Sequence, residues 1–222
     1  MNSRKKVSII IPAYNEEEKI GKTLKYLNFD WLKEIIVVND GSQDNTLDII
    51  QNYPVKVINF KKNRGKGKAI GAGLKKAQGE IIGLFDADLG KSISEINKIV
   101  KPVLKGKSDV TVAILPIKGG GIGLVRNLAH KGVEVLTGTV LKAPLSGQRV
   151  FKREIIEDIL PLADGFGLET GMNIDLIRSG YNIKEIECNI SHNVTKKDIK
   201  GFYHRKRQFI DILKTLWHKR RK

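Results

Sequence analysis

Val7-Ser-Ile-Ile-Ile-Pro-Ala-Tyr-Asn-Glu16 is an apolar run that stops at a proline and at once turns polar. A half-exposed strand alternates apolar and polar residues, whereas a run of this kind marks a strand covered on both faces, as in a parallel sheet. Glu16 to Leu27 then reads as a helix with Ile20, Leu24 and Leu27 along one face, and Glu34–Val38 as a second strand. Asp44 or Asn45 can cap the next helix, which carries Leu47, Ile49 and Ile50. Val55–Phe60 reads as a third strand. Gly65 to Ala77 reads as a helix despite its glycines, with Ala69, Ile70, Gly73, Leu74 and Ala77 forming a small-residue face suited to close packing. Glu80–Phe85 is the fourth strand and ends abruptly at Asp86-Ala-Asp88. This repetition predicts an α/β fold, a mostly parallel sheet flanked by helices, with right-handed crossovers. Ligands of such sheets lie at the carboxyl ends of the strands.

The second half is less regular. Asp109–Leu115 reads as a strand, Gly119-Gly-Gly-Ile-Gly123 as a loop, Leu124 to Leu141 as a long helix and Ser146–Phe151 as a short strand. A helix from about Lys152, another from Glu169 to Arg178 and a strand over Asn182–Ile190 follow. The chain closes with a basic amphipathic helix. With no internal repeat or low-complexity linker, the expected organisation is one domain over 1–195 and a basic C-terminal helical arm over 196–222.

Composition bounds the function. The 222 residues are 41% hydrophobic, enough for a buried core without disulfides or metal and too many for a disordered chain. No stretch approaches the roughly 20 apolar residues of a membrane span, and the polar, basic Met1–Lys6 predicts no secretory leader. The lone Cys188 excludes an internal disulfide and fits a reducing compartment, where it reads as a small strand hydrophobe. A cytoplasmic protein, or one peripheral on the cytoplasmic face of a membrane, is therefore expected. The net charge is +16. From Lys196 to Lys222, eleven Lys and Arg face two Asp, a net of +9 within 27 residues. Such a chain binds something anionic: nucleic acid, lipid headgroups or a phosphorylated substrate.

Polar residues follow three strand ends: Pro12 to Glu16, Asn39-Asp-Gly-Ser42 and Asp86-Ala-Asp88. Neighbouring parallel strands would bring Asp40, Asp86 and Asp88 to one crevice. Two carboxylates at i and i+2 can share a hard divalent cation whose shell phosphate oxygens complete. Such a metal neutralises the charge developing on a leaving diphosphate. The plain alternative is that Asp86 and Asp88 only cap and solvate a turn.

Taken together, Ile11-Pro-Ala-Tyr-Asn-Glu-Glu-Glu18, Val37-Val-Asn-Asp-Gly-Ser-Gln-Asp-Asn-Thr46 and Phe85-Asp-Ala-Asp-Leu89 resemble the signatures of family 2 glycosyltransferases with the GT-A (Rossmann-like) fold. The resemblance covers most of residues 7–190 and is nearest the dolichyl-phosphate mannose synthase and polyprenyl-phosphate glycosyltransferase branch. It implies that Pro12, Tyr14 and Glu16 line the base pocket and that Asp40 contacts base or sugar. Asp86, Ala87 and Asp88 match the family's Asp-x-Asp, with Asp86 and Asp88 holding Mg²⁺ or Mn²⁺ at the diphosphate. Asn39 stands where many relatives have a first aspartate, and Gly90 where the mannose synthases carry a side chain able to help hold the metal.

Gly165-Phe-Gly-Leu-Glu169-Thr-Gly-Met resembles the glycine-flanked Glu of glucosyl-3-phosphoglycerate synthases, whose histidine metal ligand would fall near His192. Leu145-Ser-Gly-Gln-Arg149 resembles the family's Ser-Gly-x-Arg beside the donor sugar, where Arg149 can fork onto phosphate or hydroxyls. Arg126 matches an arginine that reaches the diphosphate in relatives. Glu169 is the candidate general base. Because a phosphate acceptor is already anionic, Glu169 can instead position substrate, or simply favour a helix N-terminus. His192 also reads as a surface turn histidine, and Arg126 and Arg149 as solvated charges. Lys61-Lys-Asn-Arg-Gly-Lys-Gly-Lys68 lacks the spacing of an ATP-binding phosphate loop and reads as a basic loop, either solvated or near the nucleotide.

The expected activity is metal-dependent transfer of a hexose from a nucleotide-diphosphate sugar to a phosphorylated acceptor, a polyprenyl phosphate in the leading reading. A small soluble acceptor such as phosphoglycerate is the alternative. The C-terminal arm is expected to meet an anionic membrane surface, a membrane partner protein or the catalytic domain, and a homo-oligomer is compatible with the sequence. A nucleotidyl- or phosphotransferase would need a nucleotide loop of its own, which is missing. A nucleic-acid-binding protein is the rival suggested by charge, but with 6% aromatic residues the basic tail lacks a stacking platform, and no nucleic acid partner is expected.

Overall fold

The computed structural model describes residues 6–116, 123–190 and 199–221, with side chains from 206 onward in the last segment. In chain order the elements are β1 (Val7–Ala13), α1 (Ile20–Lys25), β2 (Leu32–Asn39), α2 (Thr46–Gln51), β3 (Lys56–Asn59), α3 (Lys66–Lys76) and β4 (Ile81–Leu84). There follow α4 (Asn97–Leu104), β5 (Val110–Ile114), α5 (Leu124–Thr137), β6 (Arg149–Lys152), α6 (Ile156–Ile159), α7 (Leu168–Arg178), β7 (Ile183–Glu187) and α8 (Ile199–Arg220). The sheet order is β3-β2-β1-β4-β6-β5-β7. β1 pairs parallel with β2 and β4, β2 with β3, and β5 with β7; β6 runs antiparallel to both its neighbours.

Helices cover both faces, so the central strands are buried throughout. Ile9 and Ile11 of β1 pack with Ile20, Ile50 and Val100 on one face, while Ile10 packs with Ala69, Leu74 and Leu168 on the other. Cys188 lies in the first of these clusters, and burial pushes its thiol up to about 11. The small-residue face of α3 has the expected cause. A Cβ on Gly73 would lie 2.5 Å from Ile10 Cγ2, so only glycine lets the helix sit this close to β1.

Local hydrogen bonds shift several element ends. α1 begins at Ile20 rather than Glu16, because the preceding residues are laced to the loop after β2. The Asn15 N–H donates to Ser42 Oγ (3.0 Å) and the Glu16 N–H to Thr46 Oγ1 (2.8 Å). Asn15 adopts φ 53°, a left-handed conformation that asparagine tolerates, and its side-chain oxygen accepts the Gln43 N–H at 2.9 Å. α5 stops at Thr137 because Gly138 turns left-handed at φ 71°. Beyond Lys152 the chain forms a 3₁₀ turn and the short α6, ending before Pro161. α4 arises in a stretch where Pro102 interrupts the periodic signal, yet Ile99, Val100 and Val103 are buried.

The basic C-terminal segment is seated on the domain. Ile212 is fully buried and Leu216 packs with Val133 and Ile174. Lys219 pairs with Asp175, and the Arg178 guanidinium donates to the Lys219 carbonyl at 2.7 Å. Glycines allow the approach: Cβ atoms on Gly132 and Gly167 would fall 2.4 Å from Leu216 Cδ1 and 1.9 Å from Thr215 Oγ1. Over its described side chains, this segment is therefore a wall of the domain rather than an arm.

Candidate active site

The carboxyl ends of β1, β2 and β4 open into one crevice of about 750 Å³. Pro12, Ala13, Tyr14 and Glu16 line it from the first strand end, Asp40 from the second, and Asp86, Ala87 and Asp88 from the fourth. The 3₁₀ turn Gly165–Gly167 and α7 add Phe166 and Glu169, α3 adds Lys66, and α8 adds Arg207 and Gln208. An annex of about 180 Å³ runs past Lys66, Asp86 and Glu169 to Gly147, Val125 and Ile212.

Backbone contacts made by a buried threonine help fix the path of the Asp86–Asp88 loop. Buried Thr23 of α1 donates its hydroxyl to the Ala87 carbonyl (2.8 Å) and accepts the Gly90 N–H (2.8 Å). Leu89 is buried beside it, and Gly90 adopts φ 53°, a conformation that favours glycine. Gln148 clamps Asp86 from β6's approach: its side-chain oxygen accepts the Asp86 N–H at 3.1 Å and its amide donates to the Asp86 carboxylate.

Lys66 joins the acids. Its Nζ lies 2.9 Å from Asp86 Oδ1 and 3.0 Å from Glu169 Oε1. Burial alone favours the neutral amine, but Asp86 and then Glu169 outweigh it and hold the lysine above its ordinary value. Burial, then the Asp88 and Asp86 carboxylates, raises the pKa of Glu16 against the pull of Lys19. The field at the strand ends is thus negative. Its donors are carboxylate oxygens, the ligands a hard Mg²⁺ or Mn²⁺ takes. Asp86 and Asp88 fit such an ion as an anchoring pair, with water or substrate oxygens completing the shell. Among the described residues, no three His, Cys, Asp or Glu side chains gather into a protein-only metal site.

The other expected residues fall in different places. Asp40 is 3% exposed, and its two oxygens accept the Arg64 and Gly65 N–H groups at 2.7 and 2.9 Å. It therefore orders the loop leading into α3 while forming part of the crevice wall. Gly41 is required there, since a Cβ would come within 2.3 Å of the Lys62 carbonyl carbon. Asn39 ties strands instead: its amide donates to Asn59 Oδ1 at 2.8 Å and its oxygen accepts the Ser42 hydroxyl.

Arg149 does not face the crevice. It is 1% exposed beneath it, donating to the Ser146 carbonyl at 2.6 Å and to Asn173 Oδ1 at 3.3 Å. Burial lowers its pKa while Glu169 and Asp86 oppose the shift, so its charge supports the acids from below. A direct fork onto the donor is replaced by a supporting position, because the guanidinium is occupied by the loop and by α7. Arg126 is exposed on the first turn of α5, outside the crevice lining. His192 lies outside the described residues. Glu169 is both a first-turn acid of α7 and a crevice residue. Sequence reading assigns no crevice role to Lys66, Gln148, Arg207 or Gln208, and takes Arg207 only as one of the bases of the C-terminal helix. Lys66 sits in the basic loop read as either solvated or near the nucleotide, and Gln148 in the quoted Ser-Gly-Gln-Arg segment.

A mostly parallel α/β sheet with acids at adjacent strand ends and a crevice above them places the candidate site where such sheets bind their ligands. The chain belongs to glycosyl transferase family 2, whose model matches residues 8–160. It is 31% identical over 196 residues to an uncharacterized protein of Methanocaldococcus jannaschii, covering 83% of this chain and 81% of that one. It is 34% identical over 175 residues to the dolichol-phosphate mannosyltransferase of Pyrococcus furiosus, covering 69% of this chain and 48% of the mannosyltransferase. Against crystal structures, glucosyl-3-phosphoglycerate synthase of Mycobacterium tuberculosis aligns at TM-score 0.79 and 25% identity, over 97% of this chain and 80% of that one. That synthase was crystallised with Mn²⁺, uridine diphosphate and glucosyl-3-phosphoglycerate, and also with Mg²⁺ and uridine diphosphate. The fold is GT-A and the chain is a glycosyltransferase.

Proposed function

We propose that the protein moves a hexose from a nucleotide-diphosphate sugar to a phosphorylated acceptor, with Mg²⁺ or Mn²⁺ at Asp86 and Asp88. The observation that carries this reading is the convergence of three strand ends and the Lys66–Glu169 pair on one crevice of about 750 Å³. In the proposal Pro12, Tyr14 and Glu16 hold the base. Asp40 shapes that wall, and by the family resemblance His192 adds a metal contact and Arg126 a diphosphate contact. The ion, when bound, neutralises charge on the departing diphosphate. An acceptor phosphate oxygen attacks the anomeric carbon. The carbon–oxygen bond to the diphosphate breaks, and the nucleoside diphosphate leaves with the electron pair. Lys66 lies beside that charge and stabilises it in a site partly shielded from water. An anionic acceptor needs no base, so Glu169 holds Lys66 and orients the acceptor; with a hydroxyl acceptor it takes the proton.

We also propose that the acceptor is a polyprenyl phosphate met at an anionic membrane surface. No helix of the described residues is long and apolar enough to cross a membrane. Support comes from the outer face of α8, where Ile210, Leu213 and Trp217 are 38%, 42% and 53% exposed, opposite the packed Ile212 and Thr215. Lys206, Lys214 and Arg220 are exposed around them, and the Arg221 guanidinium lies 3.8 Å over the Trp217 ring. Such a face lies in the headgroup region with its bases on lipid phosphates. Leu213→Asp with Trp217→Ser is expected to cut sedimentation with anionic vesicles at least tenfold, since each buried side chain contributes about 1.5–3 kcal/mol. Failure of the unaltered protein to sediment at low salt would remove the membrane from this reading.

The fold shared with a synthase crystallised with phosphoglyceric acid supports the soluble-acceptor alternative. The deciding experiment screens UDP- and GDP-sugars with each metal for released nucleoside diphosphate, adding polyprenyl phosphate in micelles or 3-phosphoglycerate. Turnover with the lipid alone supports the leading reading, and turnover with phosphoglycerate the second. No turnover with any donor, together with tight, salt-sensitive DNA binding, overturns both.

A further inference from the structure

The crevice lining divides by origin. Strand ends supply Pro12 to Glu16, Asp40 and Asp86 to Asp88, while Phe166, Glu169, Arg207 and Gln208 come from the helical end of the chain. Most charge in this lining is already matched. Asp40 is taken up by two backbone N–H groups, Glu16 lies 3.7 Å from Lys19, and Asp86 and Glu169 share Lys66. Arg207 differs: among the described residues it makes no ion pair, hydrogen bond or ring contact. It is an exposed guanidinium on a helix, within a crevice rich in acids.

Its helix is held in place next to the crevice. One turn beyond Arg207, the Asp211 carboxylate accepts the N–H of Phe166, itself a lining residue, at 3.2 Å. A Cβ on Gly165 would fall 2.1 Å from Asp211 Oδ2, so the two segments approach as closely as backbone allows. Arg207 is thereby carried on a backbone fixed to the 3₁₀ turn that leads into Glu169. A guanidinium on a rigid support presents a planar fork matched to phosphate, at a lower ordering cost than a loop arginine.

We propose that Arg207 binds the phosphate of the acceptor, recognising a phosphomonoester and holding the acceptor so that its attacking oxygen faces the reacting carbon. The assignment rests on the transferase reading for the word acceptor, and the shared chemistry is the phosphomonoester, whether soluble or at the head of a lipid. Arg207→Ala and Arg207→Lys are compared with the unaltered protein, using 3-phosphoglycerate in one arm and a polyprenyl phosphate in detergent micelles in the other. In the active arm, Arg207→Ala is expected to raise the acceptor KM ten- to a hundredfold with the donor KM within about twofold, and Arg207→Lys to recover part of the loss. An unchanged acceptor KM, or a donor KM raised equally, overturns the proposal. A titration with inorganic phosphate, followed by ³¹P NMR without any donor, tests the site independently of turnover. Saturable binding lost in Arg207→Ala upholds it, and binding equal in both proteins, or absent from both, overturns it. If no donor turns over, the transferase reading falls while the phosphate titration still decides the site.

Discussion

Asp88→Ala is expected to lower sugar transfer by roughly 10³-fold or more, about 4 kcal/mol of barrier, with the thermal midpoint almost unmoved. The separation of the two effects follows from how the loop is held. Thr23, through the Ala87 carbonyl and the Gly90 N–H, and buried Leu89 fix its path, and neither depends on the Asp88 carboxylate. Asp86→Ala should differ. It removes the partner of Lys66 and of Gln148, which is 1% exposed, so activity and stability should fall together. Leaving a buried polar group without its partner costs about 1–3 kcal/mol. Activity assays with Mn²⁺, with chelator and after metal is restored, run beside thermal melts, check both variants. Full activity in Asp88→Ala, or in the unaltered protein under excess chelator, would sink the metal assignment.

The first half of the molecule was legible because its strands are covered on both faces. That geometry writes continuous apolar runs such as Val7–Ile11, and it leaves the strand ends as the places where polar residues can gather. The motif ends also explained themselves once paired: Asn15 and Glu16 fall where they do because Ser42 and Thr46 hold their N–H groups. What remained hidden depends on contacts far apart in sequence. Lys66 and Glu169 are 103 residues apart, and no local period announces their pairing. The burial of Arg149 is equally non-local, since Asn173 and the Ser146 carbonyl satisfy a side chain that alone reads as a surface charge. The seating of α8 rests on Gly132, Gly165 and Gly167, whose missing Cβ atoms make room for it. In one dimension Gly132 reads as one residue of a long helix and Gly165 and Gly167 as flanks of Glu169, and the helix they accommodate reads as a basic arm.

Asp40→Ala is expected to weaken donor binding roughly ten- to a hundredfold and to destabilise the fold. From sequence alone the loss would be a hydrogen bond to base or ribose. The structure adds a cause, because both carboxylate oxygens already serve the Arg64 and Gly65 N–H groups at the entry to α3. Removing the side chain strands two donors at a helix start that has no cap of its own, at a cost of about 1–3 kcal/mol. For a domain of this size that is roughly 2–12 °C of thermal midpoint. The loop it frees carries Asn63 and Gly65 into the crevice wall and leads directly into Lys66, which must stand between Asp86 and Glu169. Displacing that lysine should be felt at the diphosphate as well as at the base. Asp40→Asn should not rescue it, because the amide supplies one acceptor and sets an N–H₂ against the second backbone N–H. Calorimetric titration with nucleoside diphosphate and metal, paired with thermal melts of both variants, measures the two losses together. Unchanged donor affinity with a lowered midpoint would make Asp40 a cap and nothing more, and no change in either would mean that the loop holds its shape without it.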